Sequence, residues 1–244
     1  MTAVLVLTAH GSVDPRAGAN TRAIAERIRR DRPGLDVRVA FCETSTPNLR
    51  DVLADIIALR ASGSSPQVVV TPLLLADAYH ARVDIPAMIA NSGALQADAL
   101  GEDHRLLTVL RHRVRELGVS RLDPDVGVVV VAVGSSRRMA NARTEAVASS
   151  LASGTRWAGA VTAFAAGPRP TLDDATQRLR EMGARRLVIA PWFLAHGRIT
   201  DRVAEYAAAQ RIPMAQPLGS HRLVAATVLQ RFDHARVRAD RLAA

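Results

Sequence analysis

The chain contains no lysine, a single cysteine and almost no aromatic residues, and each shortage closes off a class of function. Cys42 alone cannot form an internal disulfide, and no zinc-finger spacing is present. Aromatic residues make up 3%, so base-stacking platforms are scarce; no helix-turn-helix pattern appears either, and nucleic acid is not an expected partner. No apolar run approaches the roughly 20 residues that span a bilayer. The apolar run at 3–9 is strand-length and ends in His10-Gly11, without the basic flank and cleavage site of a signal peptide, so a cytoplasmic location is expected. Gly11-Ser12 and Gly134-Ser135-Ser136 follow strands and could cradle phosphate with backbone N–H groups, but neither is a G-x-G-x-x-G turn or a lysine-bearing P-loop. Ser12 is not in a G-x-S-x-G elbow, which argues against an α/β-hydrolase.

What is present in excess is arginine. Lys and Arg total 32 against 23 acidic residues, a net charge of +9, and every one of the 32 is Arg. GC-rich codon usage is one reading of this. An anionic partner is the other reading, and a small polycarboxylate or phosphate suits the bidentate guanidinium fork.

The 244 residues, 48% of them hydrophobic, suffice for one large domain or two small ones. Strands are predicted at 3–9, 36–41, 67–75 and near 94–100, with helices at about 20–31, 48–61, 83–91 and 104–117. The second half repeats the order: strands at 126–133, 159–165, 186–194 and 212–216, helices at 140–152, 171–182, 200–209 and 221–238. Strands this apolar, alternating with helices, imply parallel sheets covered on both faces. The repeat is specific. Ala19-Asn20-Thr21-Arg22 matches Ala140-Asn141-Ala142-Arg143, Pro72 to Ala76 matches Pro191 to Ala195, and Leu100-Gly101 with His104-Arg105-Leu106 matches Leu218-Gly219 with His221-Arg222-Leu223. A period of half the chain indicates a duplicated α/β unit rather than a solenoid. The expected halves are 1–120, carrying the site, and 125–244, a degenerate copy, with 120–125 as linker.

In open parallel sheets ligands bind beyond the carboxyl ends of the strands. His10 follows the first strand, Glu43 the second and His80 the third. A single His after a strand is most often a hydrogen-bonded loop residue. Here all three ionisable groups are missing from the second copy, where His10 aligns with Val133, Glu43 with Ala166 and His80 with Gly197, while the hydrophobic neighbours match. Two imidazoles and a carboxylate suit a divalent first-row metal, and they also suit proton transfer near neutral pH. His104 and His221 match each other across the repeat and read as caps, while His112 and His234 read as solvated.

Thr8-Ala9-His10-Gly11-Ser12 with Asn20, then Phe41-Cys42-Glu43 with Pro47-Asn48-Leu49, then Pro72-Leu73-Leu74-Leu75-Ala76 through His80 to Asp84-Ile85-Pro86, resemble the sirohydrochlorin chelatases, the class II chelatases of the sirohaem and cobalamin pathways. The resemblance covers nearly the whole chain. It implies two tandem Rossmann-like lobes with the active cleft between them, and a monomer, since half-length members pair as dimers. It implies a lyase in which His10 and His80 hold the incoming metal and Glu43 assists. The substrates would be sirohydrochlorin, a tetrapyrrole with eight carboxylates, and a divalent metal, Fe2+ or Co2+, with no cofactor permanently bound. Iron is favoured because no His-rich tract is present; cobalt insertion and a non-catalytic metal or tetrapyrrole carrier are the alternatives. Ser12, Arg16, Arg82, Arg137, Arg138 and Arg198, in loops expected at the cleft edge, are the candidates for substrate binding. The segment Asp77-Ala78-Tyr79 departs from the glycine-rich form the resemblance leads one to expect.

Overall fold

A computed structural model describes residues 3–60, 66–77 and 79–243. The chain folds as two compact units, the first formed by Met1–Gly101 with Ser220–Ala244 and the second by Glu102–Gly219.

In the first unit β1 (Ala3–Ala9), β2 (Asp36–Phe41), β3 (Gln67–Pro72) and the short β4 (Leu95–Gln96) form one parallel sheet in the order β2-β1-β3-β4. The connecting helices are α1 (Pro15–Asp31), α2 (Leu49–Arg60) and α3 (Ile85–Ile89), the last continuing from a π-helical turn at His80–Asp84. Successive strand side chains point to opposite faces. Val4, Val6, Val68 and Val70 therefore share one face, where they pack with Leu49, Val52 and Ile56 of α2 and with Ile85 and Ile89. Leu5, Leu7 and Val69 are buried on the other face, towards Ile24 and Ile28 of α1. With both faces covered, the strands read as continuous apolar runs.

At Gly101 the chain leaves this unit. The backbone there has φ +62°, a left-handed conformation that suits glycine. The next helix, α4 (His104–Glu116), buries Leu106, Val109, Leu110 and Val114 within the second unit, beside α5 (Arg138–Ala152). Strands β5 (Val126–Ala132), β6 (Gly159–Phe164) and β7 (Arg186–Pro191) form a parallel sheet in the order β6-β5-β7, connected by α5, α6 (Leu172–Glu181) and α7 (Arg198–Ala209). Gly219, at φ +67°, is the matching exit, and α8 (Arg222–Ala243) returns to the first unit. There it packs on α1, β3 and β4. Arg231 donates to the carbonyls of Ala99 and Leu100, and Arg32 pairs with Asp233 at 2.7 Å.

The division expected at 120–125 is thus corrected. That segment lies inside the second unit, and each sequence half gives its last helix to the other unit. The physical reason is that the apolar faces of α4 and α8 find their partners only after the Leu-Gly turn, so the boundary falls at the matched Leu100-Gly101 and Leu218-Gly219 pairs.

Other differences are local. Strands predicted to 75 and 194 end at Pro72 and Pro191, which lack an N–H for the ladder. The strand expected at 212–216 is one bridge from Met214 to Ile189, because Pro213 and Pro217 remove donors on either side. Helix α1 starts earlier than predicted, with Asp14 capping it through Arg16 N–H and Pro15 at the first turn. Ala61, the expected end of the second helix, lies outside the described residues. His221 acts as expected, its Nδ1 accepting from Leu223 N–H at the start of α8. No helix among the described residues is long and apolar enough to cross a membrane.

The returned helix makes a specific prediction. Phe232 of α8 is fully buried. Phe232→Ala should cost about 3–5 kcal/mol, and native-state hydrogen exchange should speed up in β3 before it does in β5. Faster exchange in β5 with β3 unchanged would contradict the placement of α8.

Candidate metal centre

The site is built from two loops zipped together beyond the carboxyl ends of β1 and β2. Cys42 N–H donates to the Ala9 carbonyl at 3.0 Å and Glu43 N–H to the His10 carbonyl at 2.9 Å. Gly11 sits at φ +100°, and a Cβ on it would lie 1.8 Å from the Glu43 carbonyl oxygen. Only glycine permits this approach. Ser12 and Ser45 add a second brace: Ser12 N–H donates to Ser45 Oγ, whose own hydroxyl donates to the Ser12 carbonyl. Ser12 Oγ accepts from Asp14 N–H. Ser12 therefore holds the loop that carries His10.

His80 arrives from the third strand end. It opens the π-helical turn, whose i→i+5 bond runs from Ile85 N–H to the His80 carbonyl. Such turns are rare and are frequent at functional sites. Gln96 in β4 ties the turn down by donating to the Ala81 carbonyl at 2.7 Å. His80 Nδ1 lies 2.5 Å from Asp84 Oδ2, which leaves Nε2 as the ligating nitrogen. Asp84 is the functional residue that sequence reasoning passed over. Its signal was a carboxylate four residues after His80, which one helical turn brings onto the same face.

The chain leaves β1 towards α1 on one face of the sheet and leaves β3 towards α3 on the other. A crevice opens between such diverging neighbours, and it is there that His10 and His80 meet, with ring centroids 4.0 Å apart. One ligand atom each from His10, Glu43 and His80 lies within 4.8 Å of the others. The three residues singled out in the sequence are thus brought together. Among the described residues they are the one group of this kind. Three donors leave further coordination positions for water or for a second substrate, as a site that must release its cation requires.

Burial lowers the pKa of His10, and the neighbouring His80 lowers it further, while Glu43 and Asp84 act the other way. His10 is therefore held neutral, with its lone pair available. Its Nδ1 is buried and meets no partner, an orphan of the kind a ligand or substrate commonly satisfies. Burial pushes the Cys42 thiol up to about 11, with Asp84 and Glu43 adding to the effect, so the thiol beside the metal-free site is neutral.

The second unit repeats the scaffold without the donors. Ala166 N–H donates to Val133 as Glu43 N–H does to His10, and Gly134, at φ +92°, makes a looser approach one residue further on, to Gly167. Leu73 N–H donates to Thr8 and Trp192 N–H to Val131, which sets Leu73 opposite Trp192. Gly197, the expected match of His80, lies at the cap of α7 and offers no side-chain ligand.

The arginine candidates divide. Arg16 is bound by Asp14 at 2.6 Å and Arg82 by Asp77, so both guanidiniums at the rim of this unit already hold a carboxylate. Arg137, Arg138 and Arg198 are exposed at the equivalent strand ends of the second unit, Arg137 at the cap of α5 and Arg198 opening α7.

The CbiX family model matches residues 4–117 and again 127–235. The chain belongs to the CbiX family. A sirohydrochlorin cobaltochelatase of Priestia megaterium is 27% identical over 211 residues, covering 82% of this chain and 67% of that protein. A sirohydrochlorin ferrochelatase of the same organism is 25% identical over 236 residues, covering 91% and 85%. Among solved structures, SirB from Bacillus subtilis with Fe3+ superposes with a TM-score of 0.84 at 19% identity, covering 98% of each chain, so this CbiX chain shares that fold.

The pH dependence of metal capture tests the electrostatics of the site. Glu43 raises the His10 pKa, so Glu43→Gln should lower it further. In Co(II) titrations of the metal alone, the acid limb should move to lower pH even though maximal affinity falls. A limb that stays in place or moves up would show that Glu43 and His10 are uncoupled.

Proposed function

We propose that this chain inserts a divalent metal, iron in the first place, into sirohydrochlorin to give sirohaem, with release of two protons. The observation that carries the reading is the convergence of His10, Glu43 and His80 on one point in a chain of the CbiX family. Insertion replaces two pyrrole N–H protons by one M2+ ion. The site must hold the cation, surrender it to four ring nitrogens and accept protons, and each requirement falls on a named residue.

His10, kept neutral by burial, is the principal ligand and base. His80 completes capture through Nε2, because Asp84 occupies its Nδ1. The Asp84 carboxylate makes that imidazole the better donor. Glu43, exposed at the edge of the triad, adds negative charge and either ligates the cation or keeps His10 basic. As pyrrole nitrogens replace protein ligands, the imidazoles of His10 and His80, freed of the cation, take up the two displaced protons and pass them to solvent.

The arginine excess fits a substrate rich in carboxylates. Arg16 and Arg82 are each already paired to an aspartate, so a substrate carboxylate must compete for them, whereas Arg137, Arg138 and Arg198 are exposed candidates on the second unit. Metal and macrocycle are both substrates, no resident cofactor is needed, and the chain acts as a cytoplasmic monomer without nucleic acid.

Cobalt insertion is the second reading, favoured by the likeness to the cobaltochelatase of Priestia megaterium. Rates for Fe(II), Co(II) and Ni(II), measured side by side with purified protein and sirohydrochlorin, separate the metals. Turnover beyond one equivalent separates catalysis from carriage. His10→Ala should lower insertion by at least ~100-fold, the range of a lost acid–base group, while Val133→Ala at the matched position leaves it within about twofold of the parent. Equal losses in both variants would place the chemistry elsewhere.

A further inference from the structure

Behind the triad lies an open depression of ≈ 250 Å³ whose walls include Glu43, Asn48, Arg50, Asp84 and Ala87. Neither histidine lines it. Glu43 and Asp84 form the partition, since Glu43 belongs to the triad and Asp84 holds His80 at 2.5 Å. The depression therefore meets the proposed cation position across two carboxylates, on the side where α2 and α3 begin.

We propose that the divalent cation reaches the triad through this depression, past Glu43 and Asp84, while the histidine rings face the macrocycle. The inference rests on the metal-inserting reading given above. A macrocycle lying on the histidines closes that approach to a hydrated cation. A separate route lets metal arrive before or after the macrocycle binds. Two carboxylates in a concave wall attract a cation and raise its local concentration. Arg50, exposed at the same wall, opposes that attraction and slows admission.

A route differs from a binding site in its kinetic signature. Narrowing it changes association and dissociation equally and leaves the dissociation constant alone. Ala87 is exposed on α3, so a large side chain there fills the depression without entering the core. Stopped-flow Co(II) uptake by the full chain preloaded with sirohydrochlorin, which leaves the depression as the open approach, should be ~10-fold slower in Ala87→Trp, while Co(II) affinity of the macrocycle-free protein is unchanged. Arg50→Gln, an exposed polar exchange that needs no repacking, should speed association by ~3-fold at low salt and lose that gain at high salt, where charge is screened. Unchanged association rates in both variants would overturn the route. So would an Ala87→Trp variant that weakens affinity without slowing association, since the depression would then belong to the site itself. Co(II) binding that His10→Ala leaves untouched would remove the metal-inserting reading, and the route with it.

Discussion

The close approach of Gly11 to the Glu43 carbonyl is the constraint on which the site depends. It allows the loops after β1 and β2 to zip together, so that His10 and Glu43 emerge as neighbours although they stand 33 positions apart in the chain. With those two held, the third ligand needs only the adjacent strand end, and β3 supplies it because it pairs with β1 along its whole length. A Cβ at position 11 would force the loops apart and separate the ligands before it disturbed the sheet.

The second unit shows that this scaffold and its chemistry are separable. The same loop zipper, the same left-handed glycine and the same strand order recur there around Val133 and Ala166. Gly134 meets Gly167, one residue past the Ala166 that matches Glu43, so a close backbone approach persists although no ligand is being positioned. The scaffold is therefore a requirement of this parallel α/β unit, on which a metal centre can be present or absent. The exchange of α4 and α8 adds a second consequence. Neither sequence half has a complete core, because the helix that covers part of each sheet comes from the other half of the chain.

Much of this was legible in the sequence, and the limits are physical. The strands were readable because parallel strands buried on both faces become apolar runs, as in Val128 to Val131. The three ligands were readable because strand-end loops are where such folds bind, and because the duplication supplied an internal control at Val133 and Ala166. The helix exchange was not readable, since an amphipathic pattern such as Leu106, Val109 and Leu110 shows that a face is buried but not against which unit. The last strand shrinks to one bridge because Pro213 and Pro217 outweigh its apolar pattern. Asp84 was visible as part of a motif, but its role depends on the π-helical turn, which carries no sequence signal comparable to a cap or a glycine. Likewise Arg16 and Arg82 stand out by charge alone, and only the structure shows them already engaged by Asp14 and Asp77.

The central claim is that His10, His80 and Glu43 together hold the cation. X-ray absorption of the Co(II)-loaded protein tests it directly, because coordinated imidazole rings produce outer-shell scattering that water and carboxylate do not. The account predicts two imidazoles in the parent, one in His10→Ala, and oxygen in the remaining positions. An all-oxygen shell, or sulfur from Cys42, would contradict it.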